Sequence, residues 1–214
     1  MSGIRTPRFY VIAGVNGAGK SSIAGATFRA LGSDYFNPDE AARRLMAANS
    51  GLSQKDANGI AWRQGVRLLT RALEERLDFA FETTLGGHTI TQLLGQAASG
   101  GIEVHIWYVG LTSPELHLER VRARVSRGGH DIPERDVRRR YEHSRLNLIA
   151  LLPHLTALRV HDNSLEADPA AGKVPLPRLV LQMERGEMIG PADLSPTPDW
   201  AKPIVAAALK LSRR

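Results

Sequence analysis

A glycine-rich segment near the N-terminus has the residue types that bind phosphate. Its residues, Gly14 to Ser21, match the pattern G-x-x-x-x-G-K-[ST] in full. An apolar run precedes the segment and a helical pattern follows it, which is the context that this motif requires. Glycines allow successive backbone N–H groups to curve around an anion, and the N-terminus of the following helix adds positive potential. We therefore expect a nucleoside triphosphate to bind here.

Individual side chains of this segment have distinct expected roles. Lys20 is long enough to reach the β- and γ-phosphates, and the hydroxyl of Ser21 is suited to hold Mg²⁺. ATP and Mg²⁺ are therefore the expected cofactors. The residues in and directly after this segment that we expect to contact the nucleotide are Gly14, Asn16, Gly17, Ala18, Gly19, Lys20, Ser21 and Ser22.

Other nucleotide-binding signatures are missing from the sequence, which narrows the class of protein. A GTPase would carry an Asn-Lys-x-Asp motif to read guanine, and an ABC-type ATPase would carry Leu-Ser-Gly-Gly-Gln; neither is present. A small-molecule kinase remains. Phosphoryl transfer needs little beyond positioning, charge neutralisation and one base for the acceptor hydroxyl.

A first acidic group follows the short apolar pair Tyr35-Phe36. It reads Asn37-Pro38-Asp39-Glu40, which is also an ordinary helix start, because proline and acidic residues are favoured in a first turn. We expect the end of this second strand to lie beside the glycine-rich segment. Asp39 would then accept the proton of a substrate hydroxyl, with Glu40 next to it at the substrate.

A second polar group, Glu82-Thr83-Thr84, ends the next apolar run. One carboxylate and two hydroxyls at the carboxyl end of a strand are suited to bind the hydroxyls of a polar substrate. The alternative is that Thr83 and Thr84 only cap a helix that begins near Thr89.

An arginine-rich segment supplies the third part of the predicted site. Arg120 and Arg124 lie one turn apart on one helix face, and Gly128-Gly129 then separates this helix from a second one. We expect a mobile lid whose Arg120, Arg124 and Arg127 contact phosphates, with Arg120 and Arg124 stabilising the transferring group. The alternative is a solvated helix face, which we favour for Arg122, Arg135 and Arg138. His130 is a candidate substrate-binding residue, as a hinge residue or a phosphate donor; the alternative is that it has no chemical role.

The elements that must position these residues alternate between strand and helix. Predicted strands span residues 9–13, 35–36, 79–81, 102–111 and 155–160, and predicted helices span residues 21–31, 38–49, 54–77, 89–99, 114–127 and 133–152. This alternation predicts an α/β fold of the P-loop kinase type. Its mainly parallel sheet has helices on both faces and binds its ligand at the carboxyl ends of the strands.

The C-terminal part of the chain carries weaker signals. We expect a loop over residues 169–177, a hairpin from residues 178–183 past Gly186, a tail containing Trp200 packed over the sheet, and a final helix over residues 203–211. The whole chain, residues 1–214, then forms a single kinase domain. Its core spans residues 8–165, its lid about 117–150 and its C-terminal extension 166–214.

Composition excludes several classes of protein. The chain has 214 residues with 43% hydrophobic and 23% charged residues, which is typical of a globular domain. It has no cysteine, so disulfides and thiolate metal sites are excluded and a cytoplasmic location is expected. No apolar run reaches the roughly 20 residues of a membrane span, and the N-terminus does not resemble a signal peptide.

The net charge of +6 suggests a polyanionic partner. Aromatic residues make up only 6% of the chain, and no basic face interleaved with aromatics is present to stack bases. We therefore expect a phosphorylated small molecule as the partner and no nucleic acid.

Four motifs in this order resemble those of the zeta-toxin family, in particular its short bacterial zeta-like kinases. The likeness spans about residues 8–165. The residues that carry it are Gly14 to Ser21, Asn37-Pro38-Asp39-Glu40, Phe81-Glu82-Thr83-Thr84 and Gly128-Gly129-His130-Asp131-Ile132-Pro133-Glu134.

This resemblance implies an ATP-dependent kinase that phosphorylates the 3′-hydroxyl of the amino sugar in UDP-N-acetylglucosamine. It implies that Asp39 is the base, that Glu82 binds the sugar and that Arg120 is the first of two lid arginines. By the alignment on Pro133, His130 occupies the position of the second one. The resemblance also implies the toxin of a toxin–antitoxin pair, with an antitoxin whose helix obstructs the nucleotide pocket.

Three alternatives stay open from the sequence. The acceptor is another metabolite, or the acceptor is a nucleic-acid end, or the chain is a non-catalytic ATP-binding regulatory module.

Overall fold

The computed structural model describes residues 5–20, 35–129, 131–165 and 176–213. Within these ranges the chain forms one sheet of seven strands in the order β2-β3-β1-β4-β5-β6-β7. The strands are β1 (Arg8–Ala13), β2 (Tyr35–Phe36), β3 (Phe79–Thr83), β4 (Glu103–Gly110), β5 (Ala157–Asp162), β6 (Arg178–Glu184) and β7 (Glu187–Gly190). Strands β1 to β5 are parallel, and β6 and β7 continue the sheet antiparallel. The predicted α/β fold with a mainly parallel sheet is confirmed.

Helices connect the strands, as the alternating pattern predicts. Those in the described ranges are α1 (Pro38–Ala48), α2 (Gln54–Glu74), α3 (His88–Ser99), α4 (Pro114–Val125), α5 (Glu134–Leu151) and α6 (Lys202–Ser212), with short 3-10 helices at Leu152–His154 and Asp199–Ala201. None of these helices combines the length and the apolar composition that crossing a membrane requires. The helix predicted over residues 21–31 lies outside the described residues, as does most of the loop predicted over residues 169–177.

The burial of strand β1 shows that the sheet is covered on both faces. Phe9, Val11 and Ala13 point into the main apolar core, whereas Ile12 belongs to a separate cluster on the other face. All four side chains are fully buried. A strand buried on both faces is typical of a parallel sheet between helical layers.

The order of the strands corrects one prediction about the site. We expected the end of β2 beside the glycine-rich segment, but β3 lies between β2 and β1. The register pairs Ala13 with Thr83, so the end of β3 is the direct neighbour of the segment that follows β1. Among the described strands, the two-residue strand β2 pairs only with β3.

The end of α4 is set by glycine geometry. Helix α4 ends at Val125, two residues before the predicted end. Gly128 has a φ of +84°, and its N–H donates to the Val125 carbonyl at 2.9 Å, while the Gly129 N–H donates to the Arg124 carbonyl at 3.0 Å. These bonds satisfy the last carbonyls of the helix in the way that a glycine C-cap does.

The C-terminal extension is part of the core. The predicted hairpin and final helix are present as β6, β7 and α6. Trp200 is only 3% exposed, and its ring lies against Gly110, where a Cβ would overlap it. The indole Nε1–H donates to the buried Asp162 carboxylate at 3.3 Å. The prediction of a tail packed over the sheet is therefore confirmed, and this tail closes the core at the ends of β4 and β5.

Replacing Trp200 with alanine tests this packing. We expect Trp200→Ala to lower the free energy of unfolding by about 3–5 kcal/mol, because a large buried ring is removed and a cavity remains. Trp62, which is 50% exposed, offers a matched control whose replacement by alanine should cost less than about 1 kcal/mol. Urea denaturation measures both values, and equal losses in the two variants would contradict the packing role.

Candidate functional site

The glycine-rich segment forms a loop whose backbone requires glycine. Gly14, Gly17 and Gly19 have φ angles of +140°, +83° and +84°. A Cβ at Gly14 would overlap the Val109 carbonyl, and a Cβ at Gly17 would lie 2.7 Å from the His117 carbonyl oxygen. Both conformation and close packing therefore exclude a side chain at these positions. The loop has the conformation that a phosphate-binding backbone needs.

Three side chains from other elements hold the loop in place. His117 Nδ1 lies 2.8 Å from the Asn16 carbonyl oxygen, and Arg140 Nη1 donates to Asn16 Oδ1 at 2.8 Å. Asn163, which follows β5, donates through Nδ2 to the Ala18 carbonyl at 2.8 Å. Helices α4 and α5 and the end of β5 thus support the loop through its polar groups.

His117 is buried in its neutral form. Burial lowers its pKa to about 4, the positive charges of Lys20 and Arg120 act in the same direction, and the hydrogen bond to Asn16 opposes them. Because a carbonyl oxygen only accepts, the hydrogen of the neutral ring resides on Nδ1. No sequence motif identifies His117 as a site residue.

Protonation of His117 makes stability depend on pH. Its pKa is about 4 in the folded chain and near 6.5 when exposed, so the stabilisation is complete above pH 6.5 and is lost as the pH falls towards 4. We expect a loss of about 3 kcal/mol over this range. His117→Asn keeps an N–H donor and should remove that part of the pH dependence.

Urea denaturation at pH 7 and at about pH 4.5 measures this effect. Burial also lowers the pKa of His105 and His161, so the informative quantity is the difference between wild type and His117→Asn. The exposed His143 provides the control substitution, His143→Asn. Identical pH dependence in wild type and His117→Asn would contradict the assignment.

A buried ion pair joins the loop to the end of β3. Lys20 Nζ lies 3.3 Å from Glu82 Oε1, and both side chains are less than a tenth exposed. Lys20 also donates to the Val15 carbonyl at 3.4 Å. The second carboxylate oxygen, Oε2, accepts hydrogen bonds from the Tyr35 hydroxyl at 2.8 Å and from Asn37 Nδ2 at 3.1 Å. Glu82 therefore links the loop to Tyr35 of β2 and to Asn37, which follows this strand.

Asn37 is the N-cap of α1. Its Oδ1 accepts hydrogen bonds from the backbone N–H groups of Asp39 at 2.9 Å and Glu40 at 3.2 Å. The capping role is thus filled by Asn37, and the Asp39 carboxylate pairs with Arg124 Nη1 at 3.3 Å. The Glu40 side chain lies instead beside Arg44, at 3.8 Å.

The hydroxyl of Thr83 shapes the loop after β3. Its Oγ1 accepts a hydrogen bond from the Leu85 N–H at 3.0 Å, and Leu85 has a φ of +53°. Asn147 on α5 donates to the carbonyls of Leu85 and Gly87 at 2.8 and 3.2 Å. Helix α3 begins after Gly87 with no side-chain cap, so the alternative that Thr83 and Thr84 cap it is wrong.

The ends of β1, β2 and β3 open into a cavity of about 760 Å³. Predicted site residues that line it are Asn16, Lys20, Asp39, Glu82, Thr83 and Thr84. Its apolar wall includes Phe36, Trp62, Phe81 and Ile90. This volume lies within the range of about 300–1,000 Å³ that is typical of small-molecule sites.

The predicted lid arginines are not among the described residues that line this cavity. Arg120 donates to the carbonyls of Asn163 at 2.9 Å and Leu165 at 3.4 Å, and Arg124 pairs with Asp39. Arg127 is exposed after the end of α4. Ser21, Ser22 and His130 lie outside the described residues, so their roles stay predictions, as do those of the three arginines.

Four further arginines of α4 and α5 form two groups, one in surface ion pairs and one lining the cavity, and the sequence predicted only the first group. Arg122 and Arg138 are exposed and pair with Glu134, in agreement with a solvated helix face. Arg135 lines the cavity, although the sequence placed it on that solvated face. Arg140 also lines the cavity and was missed, because no feature of the run Arg138-Arg139-Arg140 singles it out.

Comparisons with known proteins agree with this geometry. The sheet, the glycine-rich loop with its lysine and the adjoining cavity define the fold of a P-loop kinase. Residues 1–164 match the zeta toxin family, and the chain belongs to that family. An uncharacterized protein of Haemophilus influenzae is 34% identical over 132 residues, which cover 60% of this chain and 88% of that protein.

Two solved structures show the same fold at low sequence identity. The AvrRxo1-ORF1:-ORF2 complex with ATP has a TM-score of 0.63 at 16% identity, covering 95% of this chain and 64% of that chain. A structure of the PezAT chromosomal toxin–antitoxin system of Streptococcus pneumoniae has a TM-score of 0.54 at 17% identity, covering 74% of this chain and 69% of that chain.

Proposed function

We propose that this chain is an ATP-dependent kinase that transfers the γ-phosphoryl group to a sugar hydroxyl, with UDP-N-acetylglucosamine as the first acceptor to test. The observation that carries the proposal is that Lys20 of the phosphate-binding loop and the carboxylates of Asp39 and Glu82 line one cavity. Membership of the zeta-toxin family and the kinase fold support phosphotransferase chemistry.

The backbone of the loop supports ATP as the nucleotide of this proposal. Gly14, Gly17 and Gly19 have positive φ angles, which allow the backbone N–H groups of a loop to turn towards an anion, and Lys20 adds a positive charge. Ser21 and Ser22 follow directly, and Ser21 is the residue that would hold Mg²⁺. When bound, Mg²⁺ neutralises charge on the β- and γ-phosphates.

Asp39 is the proposed base for the acceptor hydroxyl. It lines the cavity near the loop, and its carboxylate has the acceptor oxygens needed to take up a proton. Its pairing with Arg124 ties the first turn of α1 to α4. In the proposed reaction Arg120, Arg124 and Arg127 contact phosphates when the α4–α5 lid, as predicted from the sequence, closes.

Glu82, Thr83 and Thr84 are the proposed contacts to the sugar. They lie at or directly after the end of β3 and line the cavity together with the residues of its apolar wall. Trp62 on that wall is 50% exposed and presents a ring surface to a bound group. A cavity with both polar groups and an aromatic wall is suited to a nucleotide sugar, whose base and sugar differ in polarity.

The proposal extends to domain organisation and to a partner. We treat the chain as one kinase domain in which α4 and α5 form the lid and the C-terminal extension completes the sheet. A protein antitoxin is the proposed partner, because the zeta toxin family and a toxin–antitoxin system are what the chain is similar to.

Incubation with Mg²⁺, ATP and UDP-N-acetylglucosamine, followed by mass spectrometry, tests the activity. We expect the acceptor to gain the mass of one phosphoryl group. Asp39→Asn should lower kcat by about 10²–10⁴-fold, because the proton acceptor is lost. Lys20→Ala should abolish transfer, and the exposed substitutions Glu74→Gln and Lys210→Ala are the matched controls.

Unchanged turnover in Asp39→Asn would rule out Asp39 as the base. If UDP-N-acetylglucosamine gains no phosphoryl group, incubation of the enzyme with ATP and a metabolite extract identifies another acceptor by the same mass gain. ATP binding with no phosphorylated product in either experiment would instead favour a regulatory ATP-binding module.

A further inference from the structure

Arg140 occupies a fixed position between the phosphate-binding loop and the cavity. Its Nη1 donates to Asn16 Oδ1 at 2.8 Å, and its side chain lines the cavity together with Lys20 and Asp39. On its other side the stem lies against Gly86, where a Cβ would be 2.7 Å from Arg140 Cγ. The absence of a side chain at Gly86 thus makes room for this arginine.

Arg140 lies near the negative charges of Asp136 and Asp39 but hydrogen-bonds to a neutral group. Burial lowers the pKa of its guanidinium, and the negative charges of Asp136 and Asp39 oppose this effect. An arginine nevertheless stays protonated in a protein and offers five N–H donors. Its direct hydrogen-bond partner among the described residues is the neutral amide of Asn16. A partly buried cation with a neutral partner is stabilised by an anion that binds beside it.

The two arginines expected to stabilise the transferring group, Arg120 and Arg124, have other partners in this structure. Arg120 donates to two backbone carbonyls, and Arg124 pairs with Asp39. Neither lines the cavity, whereas Arg140 does. Arg135 also lines it but is exposed, and no described contact ties it to the phosphate-binding loop.

We propose that Arg140 is a catalytic residue that contacts the transferring phosphoryl group, an inference that rests on the proposed kinase function. In this reaction the bond between the γ-phosphorus and the bridging oxygen breaks, and its electron pair leaves with ADP. The acceptor oxygen forms the new bond to phosphorus, and its proton goes to Asp39. The guanidinium stabilises the negative charge on the oxygens of the phosphoryl group during this transfer.

Three variants test the assignment. Arg140→Met removes the charge, Arg140→Lys keeps it without the planar fork, and Arg139→Met alters the exposed neighbour that pairs with Asp136. With UDP-N-acetylglucosamine at saturating ATP, we expect Arg140→Met to lower kcat by at least about 100-fold. Arg140→Lys should recover only part of that loss, because lysine lacks the bidentate geometry. Arg139→Met should match wild type.

The affinity for ATP separates a catalytic from a positioning role. Titration with a fluorescent ATP analogue should give similar Kd values for wild type and Arg140→Met, and circular dichroism checks that the variants fold. A kcat near the wild-type value, or a loss of rate that excess ATP fully restores, would overturn the inference. Arg140 would then act only by positioning Asn16.

A second probe keeps this test separate from the choice of acceptor. Aluminium fluoride bound with ADP mimics the transferring phosphoryl group and needs no acceptor. Calorimetry measures the affinity for ADP with and without it. We expect aluminium fluoride to tighten ADP binding to wild type and to Arg139→Met, and Arg140→Met to lose that gain. If wild type does not phosphorylate UDP-N-acetylglucosamine, the proposed acceptor fails and this measurement decides the role of Arg140. If aluminium fluoride changes ADP binding equally in wild type and in Arg140→Met, the proposed catalytic role of Arg140 is wrong.

Discussion

The parallel pairing of β1 with β3 is the constraint on which the site depends. Because the two strands run in the same direction with Ala13 opposite Thr83, their ends coincide, and Lys20 meets Glu82 at 3.3 Å. A buried ion pair is costly unless further hydrogen bonds satisfy it. Here Val15 accepts from the lysine, and Tyr35 and Asn37 donate to the carboxylate. The loop that binds phosphate and the residues proposed to bind the acceptor therefore belong to one polar network.

Helices α4 and α5 do more than cover this network. His117 of α4 and Arg140 of α5 both bind Asn16, one at its carbonyl and the other at its side-chain oxygen. Asn147 of α5 binds two carbonyls of the loop after β3. The arginine-rich segment thus supports the backbone on both sides of the cavity. A movement of these helices would change the phosphate-binding loop and the cavity together.

The C-terminal extension lies beyond the segment that matches the family, which ends at residue 164. It nevertheless completes the same sheet and core, because β6 pairs with β5 and Trp200 covers Gly110. Asp162 accepts a hydrogen bond from the Trp200 indole. The next residue, Asn163, donates a hydrogen bond to the phosphate-binding loop. The extension therefore supports the strand end from which Asn163 reaches that loop.

The sequence by itself determined the features that depend on short spacing. Within the described residues, hydrophobic periodicity located the strands and helices to within a few residues, since the faces of a strand or helix repeat over two or about 3.6 residues. The spacing of Gly14, Gly19 and Lys20 identified the phosphate-binding loop, because consecutive residues build it. Tertiary structure decided what depends on distant pairing. It placed β3 and not β2 beside β1, tied Arg124 to Asp39, and selected Arg140 from a run of three arginines. The last contact joins residues 124 positions apart, and no local pattern specifies which arginine faces Asn16.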